Sequence, residues 1–508
     1  MNFKKFWTKP NVKVSFKAEK RIAADAGMLE FDLLYHLTYL SAVSASGIPR
    51  SEIFNLAATL PVSTAGYFTD VDRLVKNLNY DYADACRIVG EKANNDEVKS
   101  LFLRLSGALS TGEPESEFLN QELKVQAEAY SNSYERKLES LKKWTDGFSA
   151  AVVSSVLIVV VAAVSTLIYD LGTTVVVGLV GTMMAITFCG AWVIWSSSPK
   201  EPKMLTGPNA EESQRLPRLL LFSLGPISLL LAAVAVGSGL SIGAGFLIIG
   251  LTLFPIGLVS NRHDDKITKR DDDVTTFYRV LGATASSIGT TPEEAMARMD
   301  LRSTNHLESH VRGLRTRLRS RATPKICWDR FVAGTGSELI RRSAKVFLDG
   351  ISLGGDAEEV GTRTSTLTRS TNFLRAKRKL IASTFGWLSI TLHATIVFLL
   401  VFVIDIVGGF GNMVTESGLN ELGPAGSGAP DVAASFGFSV ANMELLQWLT
   451  VPVIIALSLA NSFAAKAADG GYILKFFYYF SMMMATSGVA MVASPILTGM
   501  IFGVVADT

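Results

Sequence analysis

Few residues of this 508-residue chain have the types and spacing that chemistry requires. The segment Gly239-Leu-Ser241-Ile-Gly243 matches the G-x-S-x-G pattern of a nucleophilic serine. That pattern needs a strand before the serine and a helix after it. Here it falls in a tight turn between two apolar stretches, so we interpret it as a turn of small residues.

Sequence signatures of nucleotide and metal chemistry are absent. No G-x-x-x-x-G-K-[ST] segment occurs, so the chain lacks a phosphate-binding loop of that kind. There is no H-E-x-x-H or C-x-x-C pattern, and Cys86, Cys189 and Cys327 share no metal-ligand spacing. We therefore predict no catalytic residue, metal or cofactor, and expect that the chain is not an enzyme.

Three ionisable residues lie in or next to apolar stretches. Asp170 and Asp405 are the only candidates for an intramembrane aspartyl pair, and both are expected at the outer ends of spans. His393 lies deep in an apolar stretch, where an ionisable group suggests a function. A neutral histidine bonded to a neighbouring helix is the favoured interpretation of His393, and a proton relay is the alternative.

Long stretches almost free of charge separate the charged parts of the chain. About 20 apolar residues span a hydrocarbon core of roughly 30 Å. Seven stretches are long enough: 149–169, 173–195, 219–238, 240–259, 382–407, 446–465 and 476–503. The sequence therefore predicts a multi-pass membrane protein.

The distribution of basic residues predicts the orientation. Met1–Arg21 contains no apolar run typical of a signal peptide, so we expect a cytoplasmic N-terminus. Seven spans then leave four segments outside: 170–173, 238–240, 408–445 and the tail after 504. No Lys or Arg occurs between Lys379 and Lys466, whereas the inner loops are basic, as the positive-inside rule requires. We expect a protein of the cytoplasmic (inner) membrane with an external C-terminus.

These observations predict an all-α, polytopic membrane protein with about seven transmembrane helices and two duplicated cytoplasmic helical bundles. The predicted domains are a first bundle (1–148), four transmembrane helices (149–259), a second bundle (260–381), one transmembrane helix (382–407), an external acidic loop rich in Gly and Pro (408–445), and two transmembrane helices with an external tail (446–508).

The two bundles contain matching helix-stop patterns. In each, an apolar helix ends at a glycine, Gly47 or Gly289, and a short helix with acids in its first turn follows. Later in each, Gly112 or Gly355 precedes a long helix that enters a span. The order of these features predicts an internal duplication. Because four spans separate the copies, both enter the membrane from the same side.

This arrangement resembles the platform proteins of type IV filament machines, the type II secretion F-type family. The resemblance covers roughly 30–170 and 270–410 and depends on the motifs around Gly47, Gly112, Gly289 and Gly355. The additional spans are similar to those of archaeal members, of either the archaellum or the adhesive pilus. The resemblance implies a homodimer or small homo-oligomer that couples a hexameric cytoplasmic ATPase to assembly of pilin or archaellin subunits.

A dense basic run lies in the second bundle, and its five members are Arg312, Arg315, Arg317, Arg319 and Arg321. One interpretation is a solvated helix near anionic lipid headgroups. The other is a docking face for an acidic surface of the ATPase, since arginine offers planar, multi-donor pairing. Both stay open. No nucleic-acid-binding fold is indicated, so we expect no nucleic-acid partner.

Two functions from different classes fit the sequence. The favoured one is a platform that couples an ATPase to filament assembly. The alternative is the permease subunit of an ATP-driven transporter, whose cytoplasmic parts would also contact an ATPase. Transporters usually place broken or polar helices at the membrane midplane, whereas these spans are nearly free of charge.

Overall fold

The computed structural model describes residues 26–165, 173–205, 211–300, 304–416 and 440–506. Over these ranges the chain is helical, and its only β-type pairing is a single bridge between Met204 and Ser337. The prediction of an all-α chain is confirmed. Asp170 and positions 417–439 of the predicted external loop lie outside the described residues.

Sixteen α-helices cover the described ranges. The first eight are α1 (Ala26–Ser44), α2 (Arg50–Ala58), α3 (Ala65–Leu78), α4 (Tyr82–Lys92), α5 (Asp96–Thr111), α6 (Glu115–Ser165), α7 (Thr173–Ser197) and α8 (Glu211–Gly237). The others are α9 (Ile242–Ile288), α10 (Pro292–Arg298), α11 (Glu308–Arg319), α12 (Pro324–Thr335), α13 (Glu338–Ser352), α14 (Ala357–Glu416), α15 (Val440–Asp469) and α16 (Phe476–Ala506). A 3-10 turn, Ile473–Lys475, precedes α16.

Seven described helices, α6 to α9 and α14 to α16, are long and apolar enough to cross a membrane, which confirms the predicted number of spans. Three of them are much longer than a span: α6 has 51 residues, α9 has 47 and α14 has 60. At 1.5 Å per residue these helices measure about 70–90 Å, against a hydrocarbon core of roughly 30 Å. Each therefore has a charged portion beyond its apolar portion.

The chain divides into two compact units. The first contains the described residues up to Tyr130 together with Lys345–Thr364, and the second contains Ser131–Ala344 and Ser365–Thr508. The domain boundaries predicted from membrane topology stay a prediction.

The first unit has an aromatic core. The ring of Phe68 lies 5.0 Å from that of Phe102 and 6.0 Å from that of Phe54. The fully buried His36 stacks on Phe68 at 4.2 Å, and its Nδ1 lies 2.8 Å from the Thr64 hydroxyl oxygen. Burial lowers the pKa of His36 to about 3, so this imidazole is neutral in the folded unit.

The segment 345–364 completes the first unit by covering one face of α1. The Tyr39 hydroxyl donates to Asp349 at 2.8 Å, and the Ser46 hydroxyl donates to the Gly350 carbonyl at 3.2 Å. Arg363 donates to the carbonyl and the hydroxyl oxygen of Ser41. The end of α13 and the start of α14 are thus hydrogen-bonded to α1 and to the turn that follows α1, about 300 positions earlier in the chain.

The helix-stop glycines agree with the predicted pattern at three of four positions. Gly47, Gly112 and Gly289 adopt the left-handed conformation, with φ of 67°, 76° and 65°. At the fourth predicted helix stop the left-handed residue is Gly354, with φ of 96°, so the choice of Gly355 is wrong by one position. The reason is geometric: the amide of Gly355 donates to the Gly350 carbonyl, and this bond requires the preceding residue to be left-handed.

With this correction the two halves match closely. The two helix-stop glycines of the predicted pattern are 65 positions apart in both halves, from 47 to 112 and from 289 to 354. Four helices lie between them each time, α2 to α5 and α10 to α13. A long helix with two acids in its first turn follows in both, α6 and α14. Equal spacing and equal helix number favour the duplication.

In the second unit, α9 and α16 approach each other closely along a row of glycines. A Cβ atom on Gly250 would lie 2.6 Å from the backbone nitrogen of Ala485, and one on Gly257 would lie 2.4 Å from the Cα of Tyr478. Small residues allow helix backbones to touch in this way inside membranes. This contact holds α16 against the span that leads into the second predicted bundle.

Candidate functional site

The second unit contains a buried cluster of polar side chains where the long helices change from charged to apolar sequence. We call it the boundary network. Its members come from α6, the connector 198–205, α9, α14, the last residue of α15 and the turn that follows it: Tyr134, Glu201, Lys203, Asp264, Asp271, Arg375, Arg378, Asp469 and Lys475.

Arg375 of α14 is the centre of the network. Its guanidinium lies 2.9 Å from the carboxylate of Asp271 on α9 and 3.2 Å from that of Glu201 in the connector. Glu201 also accepts a hydrogen bond of 3.0 Å from the Tyr134 hydroxyl on α6. The side chains of Arg375, Asp271 and Glu201 are 9%, 2% and 6% exposed. Arg375 therefore joins α14 directly to α9 and, through Glu201, to α6, with these charged side chains away from water.

Asp271 extends the network to the start of α13. Its carboxylate accepts a hydrogen bond from the Ser337 hydroxyl, whose oxygen also accepts one from the Ile340 amide at 3.2 Å. Ser337 therefore caps the N-terminus of α13 while it binds α9. Burial raises the pKa of Asp271, which lies beyond the apolar portion of α9, to about 6, although the Arg375 charge opposes this rise.

Asp264 is the second branching point. One of its carboxylate oxygens, Oδ2, lies 2.8 Å from the Lys203 ammonium and 3.4 Å from that of Lys475. Lys475 also pairs with Asp469 at 2.5 Å, and the Tyr479 hydroxyl donates to Asp469 at 3.0 Å. These bonds fix the turn between α15 and α16 to α9 and to the connector.

Arg378 holds the end of α15. Its guanidinium donates to the carbonyls of Ala468 at 2.9 Å and Ala467 at 3.1 Å, and to the Pro199 carbonyl at 2.7 Å. The last carbonyls of a helix have no partner inside the helix and carry partial negative charge. The buried Arg378 of α14 therefore supplies hydrogen-bond donors to the unpaired carbonyls at the C-terminus of α15.

A cavity of about 440 Å³ lies within the network, between one face of α9 and one face of α14. Its polar walls include Asp272, Thr268 and Asn372 besides members of the network. At its apolar end are Leu380 and Ser383, where α14 begins its apolar portion. The arrangement is suited to holding helices in place and to binding a small polar group.

The predicted docking residues lie together on and just after α11, and they are Arg312, Arg315, Arg317, Arg319 and Arg321. Val311 and Leu314 are fully buried, which turns the opposite side of α11 to solvent. Arg312 pairs with Glu308 one turn earlier. Arg312, Arg319 and Arg321 are exposed, whereas Arg315 and Arg317 are half-buried, so the run forms a partly exposed basic face. Whether that face contacts protein or lipid stays open.

His393 is buried among polar side chains of two neighbouring spans. Its Nε2 lies 2.9 Å from the hydroxyl of Ser487 and 3.2 Å from that of Ser458, and its Nδ1 lies 3.2 Å from the Asn461 amide nitrogen. These contacts agree with the favoured interpretation, a histidine that joins α14 to α15 and α16. Asp405 likewise accepts a hydrogen bond from Ser494.

The serine of the G-x-S-x-G pattern has a structural role. Ser241 is the N-cap of α9, and its side chain accepts a hydrogen bond of 3.3 Å from the Ala244 amide. No strand precedes it in the described chain, because α8 ends at Gly237. The geometry is that of a turn between two spans.

Sequence reasoning did not find the boundary network. The acids at 264–273 and the bases at 375–379 were visible as juxtamembrane charge, which usually faces water or lipid headgroups. Their pairing joins residues more than 100 positions apart, so spacing along the chain could not show it. The sequence did offer one signal: two acids, Asp264 and Asp271, follow a predicted cytoplasmic end of a span, where the positive-inside rule favours bases.

In comparisons with known proteins, no family model, no curated protein and no solved structure matches this chain.

Proposed function

We propose that this chain is a membrane platform that couples a cytoplasmic ATPase of the secretion superfamily to the assembly of an archaellum or type IV pilus-like filament. The observation that carries this proposal is the joining of three long helices, α6, α9 and α14, by the boundary network. In each, the charged portion and the apolar portion form one continuous helix.

Continuous helices suit a mechanical function. A displacement of the charged portion of a rigid helix moves its apolar portion as well, whereas a flexible linker would absorb it. Because Arg375 binds Asp271 and Glu201, a movement of α14 also acts on α9 and on the connector that contacts α6. The partly exposed basic face of α11 is the surface we assign to the ATPase.

The proposal is tested in the cell of origin by deleting the gene and restoring it with variants. Glu139 lies on an exposed position of the charged portion of α6. Proline inside a helix costs about 3 kcal/mol and kinks it, so Glu139→Pro should fail to restore surface filaments seen by electron microscopy. Glu139→Ala should restore them, at equal amounts of both variants in the membrane.

Two further measurements test the partner and separate the platform from a permease subunit. The full chain, purified in mild detergent, should bind a purified ATPase of the secretion superfamily from the same organism, a result that both functions allow. The deletion strain separates the two functions. Filaments that persist after gene deletion would contradict the platform function. Loss of uptake of a small solute in the same deletion strain would favour the permease instead.

A further inference from the structure

The cavity in the boundary network has a shortage of positive charge. Five acids and four bases line it: Glu201, Asp264, Asp271, Asp272, Asp469, Lys203, Arg375, Arg378 and Lys379. A smaller adjoining cavity adds one acid and one base, Asp265 and Lys475, so acids outnumber bases by one in either count. Lys475 pairs with Asp264 and Asp469. Every one of these bases is already bonded. Arg375 pairs with two acids, Lys203 pairs with Asp264, Lys379 pairs with Asp265 at 2.6 Å, and Arg378 donates to three carbonyls.

Two acids, in contrast, have oxygens available. The side chain of Asp264 is 4% exposed, and its Oδ1 has no hydrogen-bond partner among the described residues. Asp272, an exposed residue one turn beyond Thr268, makes no hydrogen bond or ion pair within the described part of the chain. A buried carboxylate oxygen without a partner is costly. The cavity is therefore complementary to a group that donates hydrogen bonds and carries positive charge.

The cavity suits an organic cation better than a metal ion. In the described ranges, no three His, Cys, Asp or Glu side chains come close enough to hold a metal ion. A primary ammonium group needs fewer charged partners, because it has three N–H donors that can bind single carboxylate oxygens and a hydroxyl such as that of Thr268.

The surroundings of the cavity suit an amphipathic ligand. A second cavity of about 140 Å³ shares Lys379, Ser383 and Asp469 with the first and continues to Trp387 and Ile390 on the apolar portion of α14. Tryptophan is enriched at the headgroup level of membranes. The two cavities together form a slot that is acidic at one end and apolar at the other.

We propose that this slot binds a phospholipid whose headgroup carries a primary ammonium group, from the leaflet that faces the predicted bundles. The ammonium occupies the acidic end, at Asp264 and Asp272. The phosphate lies at the shared edge, where the half-exposed Lys379 has two N–H donors beyond the one that binds Asp265 and where Ser383 is exposed. The acyl chains follow α14 past Trp387.

The test is native mass spectrometry of the full chain in detergent with phosphatidylethanolamine and phosphatidylcholine of identical acyl chains. The two lipids share the phosphate, but the choline group has no N–H donor. We expect the ethanolamine lipid to bind at least about tenfold more tightly, since hydrogen bonds to charged groups are worth a factor of this order. Asp272→Asn should remove the preference, and Asp146→Asn, at an exposed acid of α6, should keep it.

A second pair of variants keeps the test decisive if Asp272→Asn does not fold. Ser383→Trp fills the shared edge and should weaken binding of the ethanolamine lipid, whereas Thr384→Trp, at an exposed neighbour that lines neither cavity, should not. Equal binding of both lipids would overturn the proposal. Binding of putrescine or phosphoethanolamine as tight as that of the lipid would show an amine site that is not a lipid site, and would overturn it as well.

Discussion

Replacement of Arg375 by alanine is the sharpest test of the boundary network. It removes the guanidinium between Asp271 and Glu201, two carboxylates that are 2% and 6% exposed. Breaking a buried ion pair by removing one partner costs about 3–5 kcal/mol, because the remaining charge stays buried. Asp271 keeps its hydrogen bond from Ser337 and Glu201 keeps that from Tyr134, so we expect a loss near 3 kcal/mol.

A matched control lies half a turn away on the same helix. Lys377 pairs with Glu135 at 2.6 Å, but these side chains are 41% and 42% exposed. Exposed ion pairs contribute about 0–1 kcal/mol. Lys377→Ala should therefore lower the free energy of unfolding by less than about 1 kcal/mol.

The assay is unfolding of the purified full chain by SDS in mixed micelles, followed by circular dichroism. A variant with Arg375→Met, Asp271→Asn and Glu201→Gln should recover most of the stability lost in Arg375→Ala, because no unpaired charge is then buried. If Arg375→Ala costs no more than Lys377→Ala, the network does not hold the long helices and the mechanical reasoning fails.

Three further outcomes are expected. Burial lowers the pKa of His36 from 6.5 to about 3, so the free energy of unfolding should fall as the pH drops below 6.5, by about 2 kcal/mol at pH 5. Acid unfolding curves of His36→Phe should lack this dependence. Reversal of Arg315 and Arg319 to Glu should abolish salt-sensitive binding to the purified ATPase in neutral detergent without lowering the amount of protein in the membrane; unchanged binding would favour the lipid interpretation. On whole cells without native thiols, a cysteine at Ser427 should be labelled from outside and one at Ser213 should not, and the reverse would refute the predicted orientation.

Patterns within one helix could be predicted from the sequence, and pairings between distant helices could not. The spans follow from runs of apolar residues, and Gly112 and Gly289 were recognisable because a helix stop is local. Which glycine of the pair Gly354-Gly355 is left-handed depends on the hydrogen bond from the Gly355 amide to the Gly350 carbonyl, and the sequence does not show that bond. Arg375 is typical of the rest: a juxtamembrane arginine normally faces solvent, and only the packing of α9 and the connector shows that it is buried.

The segment 345–364, which completes the first unit, has a consequence for biosynthesis. A ribosome that adds about 5–20 residues per second needs roughly 10–40 s to pass from Tyr130 to Lys345. During that interval four spans are made, while the face of α1 that carries Tyr39 and Ser41 lacks the segment that covers it. The first unit is thus finished only after most of the membrane part has been synthesised, and the nascent chain must protect that face until Asp349 and Arg363 leave the ribosome.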